Sequence, residues 1–137
     1  MSDVEHISEL VRTYEREYRK PKRAKRYPFV INRLYDLPKE WKTTSFPDAD
    51  SPGVYVFYDE DEKLSYVGKA SWSNTLGNRI ASYFKSHPEQ GIVPRSGHSW
   101  KRMPRYVQTI SVQQPFEASS LEEYLISELE PVDNSLK

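Results

Sequence analysis

The chain has 137 residues and a formal net charge of zero at pH 7, and it contains no cysteine. Disulfide frameworks, thiol catalysis and cysteine-ligated zinc are therefore excluded. Hydrophobic residues make up 36% of the chain, which is enough to fill the core of one domain. The charged N-terminal region has no apolar run typical of a signal peptide or a membrane span, so we expect a cytoplasmic protein with no membrane partner.

Apolar residues near the N terminus recur at helical spacing and predict an amphipathic helix over residues 3–19. The pattern is carried by five side chains that are three or four positions apart: Val4, Ile7, Val11, Tyr14 and Tyr18. Their apolar seam must be covered. Either it packs on its own domain, or it forms a short helix pair with a second copy of the chain.

A basic run follows the predicted helix, with five cations between positions 20 and 26: Lys20, Lys22, Arg23, Lys25 and Arg26. Such a run is either a solvated linker or an arm that contacts a nucleic-acid backbone. Residues 27–50 mix aromatic residues with prolines, which predicts an irregular cover with one short strand or helical turn. We therefore expect residues 1–50 to form an N-terminal extension and residues 51–137 to carry the function.

Two runs rich in tyrosine and valine, at residues 53–58 and 64–68, flank an acidic tetrapeptide and predict a β-hairpin. If the four acidic residues form the loop, Tyr55 lies opposite Tyr66 and Gly53 lies opposite Gly68. The two phenols would then stand side by side on one face, whereas a slip of one residue would separate them.

Residues 76–86 are predicted to form a helix whose apolar stripe covers this hairpin. Arg79 lies at the edge of the stripe, four residues before Tyr83, so the guanidinium and the phenol are neighbours on one helical face. The alternative for Arg79 is that it extends into water, as long cationic side chains at a core margin often do.

Charge is unevenly distributed in the second half of the chain. Between positions 63 and 105, Glu89 is the only acidic residue against eight basic ones: Lys63, Lys69, Arg79, Lys85, Arg95, Lys101, Arg102 and Arg105. Residues 87–103 are predicted to form a long loop, in which His98 and Trp100 add aromatic rings to these cations. This mixture suits a nucleic-acid groove, although a solvated loop is an equal alternative. A strand is predicted over residues 105–112.

The last predicted helix covers residues 119–129 and places Glu122 at the centre of a face formed by Leu125, Ile126 and Leu129. A carboxylate in that position needs a partner. A divalent cation beside a phosphate is one such partner, and a capping box with Ser119 is the other.

In this order, these residues resemble the GIY-YIG nuclease family over about residues 51–136. The matching positions are Gly53-Val54-Tyr55, Tyr66-Val67-Gly68, Lys69, Arg79 with Tyr83, Glu122 ahead of Leu125-Ile126, and Asn134 after Pro131. The resemblance implies an α+β fold with a small, mainly antiparallel three-stranded sheet flanked by helices, here with an extra N-terminal helix. Residues 71–74 form an apparent insertion within the pattern.

The resemblance also implies a metal-dependent endonuclease that hydrolyses phosphodiester bonds in DNA, for repair, recombination, restriction or defence against mobile elements. Glu122 would bind Mg²⁺ or Mn²⁺, and Arg79 would neutralise charge in the transition state. Tyr55 would be the general base, with its pKa lowered by nearby cations, while Tyr66 and Tyr83 orient water and phosphate. The supporting residues would be Gly53, Gly68, Lys69 and Asn134.

The expected partner is DNA, including branched or single-stranded DNA. It would be contacted by basic residues that surround the motifs: Lys69, Lys85, Arg95, Lys101, Arg102 and Arg105. Specificity would come from residues 1–50, from a homodimer partner or from an accessory DNA-binding subunit. The alternative function is a catalytically silent module on the same fold that binds nucleic acid or protein.

Overall fold

The structure is a computed structural model that describes residues 1–19 and 27–134. The basic run at 20–26 lies outside the described residues, so its role as a linker or as an arm remains a prediction. No helix in the described part of the chain is long and apolar enough to cross a membrane.

The predicted α+β class is confirmed. The described residues form four α-helices: α1 (Asp3–Tyr18), α2 (Leu37–Glu40), α3 (Leu76–Ala81) and α4 (Pro115–Leu129). They also form six strands: β1 (Val30–Asp36), β2 (Gly53–Tyr58), β3 (Leu64–Ala70), β4 (Phe84–His87), β5 (Gly91–Pro94) and β6 (Tyr106–Ser111). A 3₁₀ turn, Val132–Asn134, follows the last helix.

The main sheet is antiparallel, with strand order β1-β6-β2-β3 in the described chain. It therefore has four strands and not the expected three, because β1 pairs along β6. Tyr35 is the only fully buried residue of β1. The pairing register between β1 and β6 shifts between Ile31 and Leu34. The sequence of this strand thus lacks the regular alternation by which a strand is recognised.

The predicted helix at 76–86 is wrong beyond residue 81. Helix α3 ends at Ala81, and the Ser82 hydroxyl donates a hydrogen bond to the Arg79 carbonyl at 2.6 Å. Phe84–His87 instead forms β4 and pairs with β5, inside the segment that was predicted to be a loop. The helical spacing of apolar residues continues to Phe84, but pairing with β5 decides the conformation of residues 84–87. That pairing leaves no periodic signal in the sequence.

The two faces of the sheet have different partners. Val54 and Val56 of β2 face a cluster that includes Ile7 of α1 and Leu121 of α4, all inaccessible to solvent. Tyr55, on the opposite face, joins a second cluster with the α3 side chains and aromatic rings. The alternation of side chains along β2 therefore separates the face covered by α1 and α4 from the face covered by α3, which we call the aromatic face.

Helix α1 packs on α4 of its own chain, and its seam is buried at Ile7, Val11 and Tyr14, whereas Tyr18 remains exposed. Tyr14 of α1 contacts Tyr124 of α4 with ring centroids 5.4 Å apart. With α1 on α4 and β1 on β6, residues from the first part of the chain belong to the same core as the sheet. The domain boundary near residue 50 remains a prediction.

Candidate functional site

The register of the β2–β3 hairpin differs from the prediction by two residues. Tyr55 lies opposite Gly68, and Tyr66 lies opposite Phe57. One residue of the shift comes from the turn, where Asp59 pairs with Lys63 and its carboxylate accepts two backbone N–H bonds. The other comes from an irregularity between Phe57 and Tyr58. Because a shift of two preserves the face, the two tyrosines still share one side of the sheet, with ring centroids 6.3 Å apart.

The two motif glycines allow close approaches that a side chain would block. A Cβ atom on Gly68 would fall 2.4 Å from the hydroxyl oxygen of Tyr55, because the tyrosine ring lies across this residue. On Gly53 it would fall 2.2 Å from the carbonyl oxygen of Ile110 on β6. Gly68 therefore seats the phenol of Tyr55, and Gly53 permits the central strands to pair.

Three phenols and one guanidinium meet on the aromatic face. The hydroxyls of Tyr55 and Tyr83 are 2.7 Å apart, and that of Tyr83 lies 3.3 Å from that of Tyr66. Arg79 Nη2 donates to Tyr55 at 3.3 Å and to Tyr83 at 3.2 Å. Arg79 therefore points at the phenols and does not simply extend into water, because α3 places it directly over them.

Burial raises the pKa of the Tyr55 phenol to about 12, although the hydrogen bond with Tyr83 and the charge of Arg79 act in the opposite direction. Burial is also the largest cause that raises the pKa of Tyr66 and of Tyr83. The positive charge of Arg79 thus favours the phenolates, as expected, but it does not outweigh desolvation. All three phenols are protonated at neutral pH in this structure.

Glu122 lies beside the edge strand β3. The buried face of α4 is centred on Ala118, Leu121 and Leu125. Glu122 lies at the flank of this face, so the prediction that it lies at the centre is wrong. Helix α4 begins at Pro115, four residues earlier than predicted, and Glu117 closes its capping box. Glu122 is therefore in the helix interior, and the capping alternative is excluded.

Burial raises the pKa of the Glu122 carboxyl, while the charges of Lys69 and Arg79 lower it. Within residues 1–19 and 27–134, this carboxylate makes no hydrogen bond or ion pair, and Lys69 Nζ donates to Ser119 Oγ at 3.0 Å. No cluster of three or more His, Cys, Asp or Glu is present in that part of the chain. A single unpaired carboxylate fits Mg²⁺, which retains most of its water ligands when few protein groups bind it.

Asn134 acts on β3 through the backbone. Its amide accepts a hydrogen bond from Val67 N and donates one to Val67 O, both at 2.8 Å. The neighbouring Asp133 accepts from the backbone N–H groups of Lys101 and Arg102 at 2.7 and 3.0 Å. The 3₁₀ turn thereby joins the loop before β6 to strand β3. The sequence did not reveal the role of Asp133, because its partners are about 30 residues away in the chain.

The six basic residues expected to contact DNA differ in their surroundings. Lys85, Arg95 and Lys101 are exposed, whereas Lys69 is partly buried beside Ser119. Arg105 forms a double hydrogen bond with Asp36, at 3.0 and 3.1 Å, which offsets its charge. The side chain of Arg102 donates to the Leu64 carbonyl at 2.8 Å.

Two aromatic residues of the loop also reach the site. The rings of His98 and Trp100 lie 5.1 and 5.9 Å from the ring of Tyr83. Their place beside the three tyrosines could not be read from the sequence, where only the mixture of basic and aromatic residues was a signal.

The arrangement of these side chains is of the GIY-YIG nuclease type. It combines two tyrosines from the hairpin, Arg79 from α3, Tyr83 just after α3, and Glu122 from α4. Residues 51–135 match the family described as the UvrC-like GIY-YIG domain, and the chain belongs to this family. No solved structure shows a significant match.

Similar curated proteins carry the name UvrABC system protein C. The relative from Pseudomonas aeruginosa strain LESB58 is 39% identical over 88 residues, which cover 64% of this chain and 13% of the relative. The one from Carboxydothermus hydrogenoformans is 37% identical over 87 residues, covering 64% and 13%. The one from Nautilia profundicola is 35% identical over 97 residues, covering 69% and 15%. The match thus spans only a small part of each relative.

Proposed function

We propose that the chain is an endonuclease that hydrolyses phosphodiester bonds in DNA with the help of a divalent cation. The observation that carries this proposal is a hydrogen-bond network of four groups: Arg79 donates to the hydroxyls of Tyr55 and Tyr83, and the Tyr83 hydroxyl is bonded to those of Tyr55 and Tyr66. Each of these bonds is 3.3 Å or shorter. The unpaired carboxylate of Glu122 lies close enough to this network for the charge of Arg79 to act on it. Membership of a nuclease family supports the same reaction.

Arg79 is placed to bind a non-bridging oxygen of the scissile phosphate and to neutralise the charge that develops there. Lys69, fixed by Ser119, adds a second positive charge on the side of Glu122. Glu122 would hold Mg²⁺ or Mn²⁺, whose chemistry when bound is to polarise a phosphate oxygen and stabilise the leaving 3′ oxygen.

A general base must take a proton from the attacking water, and tyrosine is our candidate. Tyr55, which the sequence favoured, is inaccessible to solvent, and Tyr83 is 5% exposed, whereas Tyr66 is partly exposed. We therefore propose that Tyr66 contacts the water as the phenolate, because a base must be deprotonated and must reach the proton that it removes. The charge of Arg79 favours this phenolate, whose own proton has been released to solvent beforehand. Tyr55 and Tyr83 would hold Arg79 and complete the hydrogen-bond network.

The pathway is a further part of the proposal. The relatives are named UvrABC system protein C, and we infer that this chain cuts DNA during repair. Because the match covers 13 to 15% of those relatives, their substrate preference does not transfer with it. Residues 1–50, a homodimer or an accessory DNA-binding subunit would provide specificity.

The test is nicking of supercoiled plasmid with Mg²⁺ or Mn²⁺. We expect wild-type protein to nick, and Glu122→Gln and Arg79→Ala to lose activity by at least about a hundredfold. Matched controls are Glu128→Gln on the exposed side of α4 and Arg16→Ala on the exposed side of α1, which should nick normally. Failure of every variant to nick, with salt-sensitive DNA binding that survives both mutations, would favour a catalytically silent binding module.

A further inference from the structure

A cavity of about 280 Å³ opens beside the tyrosine cluster. Its walls include two site residues, Tyr66 and Tyr83, and three loop residues, His98, Ser99 and Trp100. Asp133 and Asn134 of the 3₁₀ turn complete it. The cavity therefore adjoins two of the phenols on one side. Its loop wall, residues 98–100, has no role in the proposed reaction.

The walls are formed largely by flat rings. Trp100 meets Tyr66 edge to face, with ring centroids 5.9 Å apart and an interplanar angle of 86°. His98 stacks on Trp100, with centroids 5.5 Å apart at 28°, and it also contacts Tyr83. Such surfaces bind another flat ring by stacking.

The loop that forms one wall of the cavity is held in place by the 3₁₀ turn. The backbone N–H groups of Lys101 and Arg102 donate to Asp133, and the adjacent Asn134 is bonded to both polar atoms of Val67 in β3. The same strand carries Tyr66. Strand β3 thus positions both the rings of the loop and the ring of Tyr66. Because the cavity is formed before a ligand binds, binding would lose little conformational entropy.

We propose that this cavity receives one nucleobase of the cut strand, next to the scissile phosphate. The inference rests on the proposed function, because the phosphate would lie at Arg79 while Tyr66 and Tyr83 border both sites. The faces of a base inside a duplex are covered by its stacked neighbours, so a base can enter the cavity only when it is unstacked. Since every base has a π-face, stacking here would select an unpaired base without reading its identity.

Exposed His98 is the position to test, because its replacement leaves the core intact. The probe is a labelled single strand of thymidylates, about 12 nucleotides long, compared by fluorescence anisotropy with an equally charged abasic strand. We expect His98→Ala to weaken thymidylate binding by about five- to a hundredfold and to leave binding of the abasic strand unchanged. His98→Phe should retain the preference, because it keeps a flat ring.

The matched control is His6→Ala, which removes an exposed histidine from α1 and should change neither affinity. An equal loss on both strands would assign His98 to charge or folding and overturn the inference, as would unchanged thymidylate binding or the absence of any preference in the wild type. None of these readouts requires cleavage. A protein that prefers thymidylates through His98 but never nicks plasmid would contradict the proposed endonuclease activity and leave a base-binding site.

Discussion

The Tyr55 hydroxyl lies 2.7 Å from the Tyr83 hydroxyl, and Arg79 donates to both oxygens. A residue from the first motif strand is thereby joined to one that follows α3. In the proposed reaction this relationship gives the phenols unequal roles, because Tyr55 and Tyr83 are buried whereas Tyr66 is partly exposed.

Tyr66→Phe should therefore impair cleavage more than Tyr55→Phe. Loss of a general base typically reduces the rate by about 10²–10⁴-fold. Loss of the Tyr55 hydroxyl should mainly destabilise the fold, by about 1 kcal/mol, since one buried hydrogen bond is removed. Single-turnover cleavage rates and urea unfolding would separate the two effects. A larger rate loss for Tyr55→Phe would return the role of base to Tyr55.

The cleavage rate should rise with pH through the neutral and mildly alkaline range. Burial raises the pKa of Tyr66 above its ordinary value, so the phenolate fraction increases about tenfold for each pH unit below that pKa. A plot of log kcat/KM against pH with a slope near one is expected for the wild type, and Tyr66→Phe should flatten it. Equal slopes in the two proteins would exclude Tyr66 as the titrating base.

The free energy of unfolding should depend on pH, because burial also raises the pKa of Tyr55. The pKa of Tyr55 is raised to about 12 in the folded protein, against about 10 in an unfolded chain. The associated stabilisation is fully present below pH 10 and is lost as pH rises towards 12, because the unfolded state releases its proton first. The free energy of unfolding, measured by urea titration across this window, should decline less steeply in Tyr55→Phe.

Gly68→Ala should destabilise the protein by about 1–3 kcal/mol, because its methyl group would overlap the Tyr55 ring. In a Tyr55→Leu background the same substitution should cost less, since the overlapping ring is absent. A double-mutant cycle by chemical denaturation would measure this coupling. Additive effects would mean that Gly68 does not seat the Tyr55 phenol.

Basic residues should divide into two groups in DNA binding. Alanine at exposed Lys85 or Arg95 should weaken binding and reduce the slope of log affinity against log salt by about one for each lost phosphate contact. Arg105→Ala should leave that slope unchanged and reduce stability by at most about 1 kcal/mol, because Arg105 is paired with Asp36. A change of slope in Arg105→Ala alone would reverse this division.

Much of the site could be predicted because its residues lie in short motifs with strong local patterns. The alternation in GVYVFY placed Tyr55 on the opposite face from Val54, and the four-residue step from Arg79 to Tyr83 brought the guanidinium to the phenol. That contact survives although α3 ends before Tyr83, since the turn at Ser82 keeps the two residues close. The family match covers residues 51–135, the part of the chain that contains these motifs.

By itself, the sequence determined the hairpin over GVYVFY and LSYVG and the four-residue step from Arg79 to Tyr83, because these are local patterns. The α+β class and the set of tyrosines, arginine and glutamate came from the resemblance of these motifs to the GIY-YIG family. Tyr55 and Tyr66 share a face because the register differs from the expected one by two residues and not by one. Only the tertiary structure decided the hairpin register, the pairing of β1 with β6 and the position of Trp100 against Tyr66. Each depends on contacts between residues that are distant in the chain or on turn geometry such as that of Asp59. Such contacts leave no periodic signal, because the free energy that selects them comes from packing and pairing in the folded state.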